Sequence, residues 1–285
     1  MSREVVQASK NEVNSSAENR GSRLRNLREI EECLEGKRLY GDEFSGEEVA
    51  AWFADEKEAT TEIRGPDWQY KYHELNQFHA YEWLPSRRFS NVLSLGGGDG
   101  SELLPIMDSL DRVTILESSE NLRPAIKAQY VLPEPDGSIP FPDNTFDLIT
   151  CLSVLHHIPN VSRVVREIYR CASAGGFVLL REPTISMGDW RKPREGLSKH
   201  ERGIPLHLMR QLIQEVGFKV VSERRFCFAP IMYLNRKLKK NIYGSRLMLR
   251  LDSMLCKLPI WNRRYHAERA LEKFRPSGVF YVLEK

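Results

Sequence analysis

Cysteine is scarce and unpatterned in this chain. Cys33, Cys151, Cys171, Cys227 and Cys256 are odd in number, widely scattered and without a CxxC, so neither a disulfide framework nor a zinc site is indicated and a reducing cytoplasm fits best. Long apolar runs are missing as well. No stretch approaches the roughly 20 apolar residues of a membrane-spanning helix, and MSREVVQASKNEVNSSAENRGS at the start lacks the apolar centre of a signal peptide, so a soluble protein is expected. Neither sign of charge dominates: 42 Lys and Arg face 39 Asp and Glu, net +3. That balance is too even for nucleic-acid or membrane binding by the molecule as a whole. Repeats and low-complexity tracts are also absent.

The charge is nevertheless uneven. Between Ile231 and Arg264 nine Lys or Arg stand against Asp252 alone, a local +8 that leaves −5 for the remainder.

With 285 residues and 41% hydrophobic content, the chain is long enough for one large α/β domain with appendages. Residues 1–22 are polar and aperiodic, which reads as a flexible tail. A helical cap over 23–88 follows: Leu24, Leu27, Ile30 and Leu34 recur at helical spacing. Ser45-Gly46-Glu47-Glu48 forms a capping-box pattern ahead of Val49, Trp52 and Phe53, and a third helix is expected from Trp68 to Leu84. From residue 89 to 285 short β-rich runs alternate with helical ones, the texture of a parallel sheet with crossover helices. Strands are expected at Asn91–Leu95, Arg112–Glu117, Phe146–Leu152, Phe177–Arg181, Lys219–Phe228 and Gly278–Leu283. Helices are expected near 101–110, 120–129, 161–172 and 205–217, and 230–274 reads as a basic helical insertion before the last strand.

Such a sheet binds ligands beyond the carboxyl ends of its strands. The first strand runs into LSLGGGDGSE, where Gly96, Gly97, Gly98 and Gly100 free the backbone for a tight turn and for close ligand approach. A nicotinamide dinucleotide and an adenosyl sulfonium are both held by loops of this kind. The dinucleotide fingerprint GxGxxG needs its third glycine at 101 or 103, and those positions hold Ser101 and Leu103; GxGxG at 96, 98 and 100 is satisfied. Glu117, at the end of the second strand, is placed to accept hydrogen bonds from a ribose diol, which both ligand classes carry.

DGSIPFPDNTFDLITCLSVLHHIPN (136–160) and REIYRCASAGGFVLLREP (166–183) separate the two readings. Together with the glycine loop and Glu117 they resemble the class I S-adenosylmethionine-dependent methyltransferases, in particular the small-molecule branch with the pattern LPFPDNSFD…LHH. The resemblance covers roughly Asn91 to Phe228. It implies a Rossmann-like, doubly wound sheet of about seven strands, the last antiparallel, and S-adenosylmethionine as cofactor. By position it implies that Gly96, Gly98 and Gly100, with Gly97 and Asp99 between them, line the methionine and ribose portion. Glu117 with Ser118 would take the ribose hydroxyls, Asp136 with Gly137 the adenine, and Ser153 would sit beside the sulfonium. Ser94 stands where the family usually has the acid that approaches the cofactor's amino group, and Ala174 replaces the proline of a Pro-Gly-Gly turn. Asp147, at the opposite end of its strand, is expected to be structural.

Methyl transfer from a sulfonium is an in-line displacement, and a base is needed mainly when the acceptor is a neutral hydroxyl. His156 and His157, just past the fourth strand, are both candidates for that base, with nothing in the sequence to choose between them. Arg181 and Glu182, and the loop residues His200 and Arg202, are candidates for acceptor binding. No His/Asp/Glu spacing compels a metal site. The expected activity is methyl transfer to a small-molecule or glycan-like, possibly anionic acceptor at a hydroxyl oxygen, with N- or C-transfer as alternatives. No nucleic-acid partner is expected, membrane contact at most peripheral through 231–264, and the N-terminal helices and the insertion are expected to wall the acceptor pocket. A noncatalytic binding scaffold and a nicotinamide oxidoreductase are the rival readings.

Overall fold

The computed structural model describes residues 28–63, 69–119, 122–192, 194, 196–238, 241–258, 262 and 264–285. The expected tail (1–22), the start of the first helix and Trp68 lie outside these. Seven strands form one sheet in the order β3-β2-β1-β4-β5-β7-β6: β1 Phe89–Leu95, β2 Leu110–Leu116, β3 Gln129–Val131, β4 Phe146–Leu152, β5 Ala172–Pro183, β6 Lys219–Phe228 and β7 Pro276–Glu284. β1 pairs in parallel with β2 and β4, and β4 with β5, while β7 runs antiparallel between β5 and β6. The order reverses between β1 and β4, and the crevice at such a switch point is where ligands bind.

Sequence explains both layers. The last four residues of β1 (Val92–Leu95) and the last five of β4 (Leu148–Leu152) are buried, as expected for central parallel strands covered on both faces. Helix α4 (Val161–Cys171) turns Val161, Val164, Val165, Ile168 and Cys171 into the sheet at helical spacing, and α5 (Leu206–Val216) adds Met209, Leu212 and Ile213 to the same core. The other face is covered by α3 (His73–His79) and by α6 (Ala229–Leu238) and α7 (Arg246–Leu255), which lie between β6 and β7. Asp147 accepts the Ser90 and Asn91 backbone N–H groups at 2.7 and 3.0 Å. It thus ties the start of β4 to the start of β1, away from the crevice. The capping box at Ser45 and Glu48 forms and opens α2 (Gly46–Ile63), preceded by a helix α1 over 28–34.

Three expectations are changed by the structure, and one strand was not anticipated. The third helix is only seven residues long, because Tyr70 and Tyr72 are taken up by Arg181 and the chain breaks at Ala80 before Pro85. Residues 101–109 wind as a 3-10 helix, since Pro105 has no N–H for an α-helical bond. Among the described residues of 120–129 there is no helix; Pro124 disfavours one in that segment. The short edge strand β3 was too brief to show a period of two.

The insertion is fixed by one buried acid. Asp252, the lone acid of the basic segment, is fully buried on α7 and accepts the N–H groups of Cys227 and Phe228 at 2.8 Å each. This holds the end of β6, where Cys227 has a positive φ of 59°. Asp252→Ala leaves two N–H groups without their acceptor and is expected to lower unfolding free energy by roughly 1–3 kcal/mol, measured by urea denaturation; Asp252→Asn, which keeps one acceptor oxygen, costs less.

Candidate functional site

A cleft of about 990 Å³, open on one side, lies at the carboxyl ends of β1, β2 and β4. Gly96, Glu117, Ser118, Gly137, Ser153 and His157 line it, together with apolar side chains that include Leu95, Leu116, Ile139 and Val164. These six are among the residues expected at a cofactor or catalytic position. The glycine loop has the expected geometry: Gly96 and Gly98 both have φ of 58° and Gly100 83°, a region side chains rarely adopt. A Cβ at Gly96 would come within 2.6 Å of a Val154 methyl.

Glu117 is buried, and its carboxylate accepts the Gly98 N–H (2.9 Å) and the Ser119 N–H (3.1 Å). The second-strand acid is thereby locked to the glycine loop. Asp99 is turned the other way and accepts the Ser101 N–H at 2.9 Å. The Asp136 carboxylate is exposed, accepts from Ser138 and pairs with Arg163 at 2.6 Å. These Ser138 bonds, followed by the Arg163 charge, hold its pKa below the usual range. At this position Gly137, Ser138 and Ile139 form the cleft wall.

Below the loop the structure supplies an acid that the sequence seemed to lack. Glu102, from the 3-10 segment after the loop, reaches back so that its Oε1 accepts the hydroxyls of Ser94 (2.7 Å) and Thr150 (2.8 Å), with all three residues buried. A carboxylate therefore sits beside position 94, brought from eight residues downstream. The visible clue was an acid next to Leu103, which is wholly buried.

The turn after β4 is organised by carboxylates. Glu182 accepts the N–H groups of Val154 (2.9 Å), Leu155 (2.8 Å) and His156 (3.3 Å), and its Oε2 lies 2.7 Å from His156 Nδ1. On its other side His156 Nε2 is 3.6 Å from Glu201. Burial alone would depress the His156 pKa, but Glu182 and Glu201 outweigh it and raise the value to about 9. His156 is thus an imidazolium at neutral pH, buried behind the cleft.

His157 is its opposite. It lines the cleft, and Glu56 of α2 holds its Nδ1 at 2.8 Å. Burial first, then the neighbouring His156 charge, lowers its pKa. Burial opposes ionisation of Glu56, yet the His157 and Ser198 hydrogen bonds keep it below the usual glutamate value. An ionised Glu56 only accepts, so Nδ1 carries the proton and Nε2 is the basic atom. Sequence reading missed Glu56, although at helical spacing it shares a face with Val49, Trp52 and Phe53, an acid on an apolar stripe.

The four proposed acceptor residues do not line the cleft. Arg181 is buried and donates to Ser153 Oγ, Tyr70, Asn76 and the Leu152 carbonyl. Glu182 is spent on the turn. Arg202, over the Trp52 ring at 4.4 Å, donates to the carbonyls of Tyr40, His156, Ile158 and Pro159. His200 stacks on Trp52 at 4.2 Å and meets Asp55 at 2.8 Å. Together His200 and Arg202 clamp their loop to α2 and to the histidine turn.

A family model described as a methyltransferase domain matches residues 68–223, more than half of the chain. The chain belongs to the class I, S-adenosylmethionine-dependent methyltransferase family. It is 47% identical over 51 residues to a demethylmenaquinone methyltransferase of Anoxybacillus flavithermus, covering 17% of this chain and 22% of that one. Identity to the ubiquinone/menaquinone biosynthesis C-methyltransferase UbiE of Hydrogenovibrio crunogenus is 28% over 123 residues, 39% of this chain and 48% of that one. The chain thus spans less than half the length of either relative. The phosphoethanolamine N-methyltransferase 2 of Haemonchus contortus, solved with phosphomonomethylethanolamine and S-adenosylhomocysteine, shares the fold at a TM-score of 0.53 and 14% identity, over 85% of this chain and 60% of that one.

The methyltransferase cleft fits an adenosyl group on its own chemistry. A buried carboxylate, Glu117, stands beside glycine backbone, and Ile139 and Val164 give apolar walls for a flat base. Among the described residues, metal-capable side chains gather at His156, His157 and Glu201, with one donor atom of each within 4.8 Å of the others.

The buried imidazolium makes stability depend on pH. A pKa raised from 6.5 to about 9 on folding stabilises fully below the unfolded value and is lost as pH climbs through the folded one. Unfolding free energy is therefore expected to decline between pH 6.5 and 9 in urea titrations, and this slope is expected to vanish in His156→Gln.

Proposed function

We propose that this methyltransferase acts on a small, flat, largely apolar acceptor carrying an ionisable hydroxyl, with His157 as general base and Glu56 as its positioning residue. One observation carries the reading: of the two adjacent histidines, only His157 borders the cleft, and its pKa is the one held down. When bound, S-adenosylmethionine supplies an electrophilic methyl group at its sulfonium. Glu117 and the Gly96–Gly100 backbone would hold the cofactor, the former through the ribose diol, and Ser153, anchored by Arg181, would border the sulfonium. Nε2 of His157 removes the hydroxyl proton, while Glu56 keeps the ring in the required tautomer. Apolar walls from Phe53, Val154 and Ile158 exclude water and align the acceptor. They favour an aromatic acceptor over the glycan-like one among the sequence expectations. The helices before β1 serve as a cap, of which α2 gives Phe53, Glu56 and Lys57 to the cleft. Five unpaired cysteines fit a cytoplasmic setting.

Oxygen is the favoured methyl acceptor. Carbon transfer to a phenolic ring is a second reading, favoured by the similarity to C-methyltransferases of quinone biosynthesis. Both begin with loss of the same proton, so both use His157.

Calorimetry with S-adenosylhomocysteine should show binding, weakened by roughly 10- to 100-fold in Glu117→Ala through loss of two charge-assisted hydrogen bonds. Absence of binding to folded protein would sink the cofactor assignment. In turnover assays on a panel of phenols and hydroquinones, His157→Ala should lower kcat by about 10²- to 10⁴-fold with cofactor affinity retained; unchanged kcat refutes the base. Because the His157 pKa is lowered, the acid limb of the kcat/KM profile should have its midpoint below pH 6.5.

A further inference from the structure

No described residue of the basic segment 231–264 lines the cleft. Its charge and its apolar residues therefore call for another explanation. In α7, Leu249 and Asp252, with Cys256 just past its end, are buried against the sheet at spacings of three and four. The opposite side carries Leu247, Arg250 and Met254, continued by Lys257 and Leu258 in the following turn, all exposed; Leu247 is 70% and Met254 59% accessible. Helix α6 repeats the arrangement. Ile231 is buried, while Tyr233, Leu234 and Lys237 are exposed, with the Lys237 ammonium 4.9 Å over the Tyr233 ring.

The charge pattern has one sign. The sole acid of the segment, Asp252, is turned inward to the end of β6, so among its described residues no carboxylate faces outward. Arg246 is paired with Glu82 and Arg264 with Glu272, whereas Lys237, Arg250 and Lys257 have no carboxylate partner among the described residues. Large apolar side chains interleaved with unpaired cations on short helices match the chemistry of an anionic lipid surface: apolar groups enter the acyl boundary and cations meet headgroups. RNA would use the cations but gain nothing from exposed Leu247, Met254 and Leu258. Neither helix is long and apolar enough to cross a bilayer, which limits the contact to the interface.

The position is also suitable. β6 is antiparallel to β7, as β5 is, so β6 and β5 run the same way. α6 therefore leaves β6 on the sheet edge where the cleft opens.

We propose that the outward faces of α6 and α7 dock the protein peripherally on anionic membranes through Tyr233, Leu234, Leu247, Met254 and Leu258 together with Lys237, Arg250 and Lys257. This does not rest on the methyl-transfer reading.

Cosedimentation of the full chain with vesicles tests it, using phosphatidylglycerol mixed with phosphatidylcholine against phosphatidylcholine alone. Binding should be at least about tenfold stronger to the anionic vesicles and should weaken as salt is raised. Arg250→Gln/Lys257→Gln should reduce it by roughly tenfold or more, and Leu247→Glu/Met254→Glu should abolish it. Thermal midpoints of both variants should stay at the parent value, because all four side chains are exposed. Val220→Glu, an exposed apolar residue on β6, should bind as the parent does. Equal partitioning to both vesicle types, no sedimentation, or variants that bind like the parent would each overturn the proposal. So would sedimentation velocity showing a dimer that Leu247→Glu/Met254→Glu dissolves, since that assigns the face to a second copy of the chain.

Discussion

The Glu182 carboxylate, almost wholly buried at the end of β5, receives three consecutive backbone N–H groups from the turn after β4 and the Nδ1 of His156. Burying an ionised carboxylate is expensive unless its lone pairs are met and its charge is balanced. The turn supplies the donors and His156 supplies the charge. Everything at the adjoining cleft wall follows. Burial and then the imidazolium at position 156 push the neighbouring ring at 157 toward neutrality, and Glu56 decides which nitrogen of that ring is basic. Two adjacent histidines in one short turn are thereby given opposite protonation states, His156 by Glu182 and Glu201 and His157 by its burial and the His156 charge.

A similar logic operates under the glycine loop. The backbone at Gly96 and Gly97 passes so close to Val154 and Ser94 that no side chain fits there; a Cβ on Gly97 would lie 2.0 Å from Ser94 Oγ. A small hydroxyl at 94 suits that crowded spot, and the acid is delivered instead from Glu102, where the chain has already turned away from the loop. A carboxyl group thus stands beside position 94 with its point of attachment eight residues downstream. Arg181 is the buried cation of the neighbouring region, with Glu102 among the groups that favour its charged form.

How much of this was legible depended on sequence distance. The glycine loop, the capping box at Ser45, the strands from Asn91 onward and the acid at 117 are local patterns, and each lies within one or two elements. Glu56 and His157 are 101 residues apart, and Ser198 and Glu56 are 142 apart. Pairs of that kind arise from the packing of α2 onto the turn, which no periodicity encodes. Arg181, Glu182, His200 and Arg202 show the converse. They were singled out as chemically able residues after a strand and on a polar loop, yet their partners are carbonyls, amides and rings of the protein itself. The helix expected at 101–110 formed as a 3-10 helix around Pro105, and the one expected at 120–129 is missing among the described residues, where Pro124 weighs more than the surrounding apolar pattern.

Buried or partly buried carboxylates recur where elements must be joined without a strand ladder. Asp147 ties the β4 start to β1, Glu167 accepts the Ile139 N–H beside the cleft, Asp252 seals the β6 end and Glu182 closes the turn after β4. Each meets one or more main-chain N–H groups with side-chain oxygens, which need no regular geometry. That freedom matters most at the carboxyl edge of the sheet, where a continuous hydrogen-bonded ladder would fill the space a ligand occupies. Glutamates anchoring amides from one side leave the other side of the same turn open. The cleft between β1 and β4 is therefore bounded by segments that are irregular in backbone but fixed in position. Its polar groups can then be preorganised around a ligand without being part of any helix or strand.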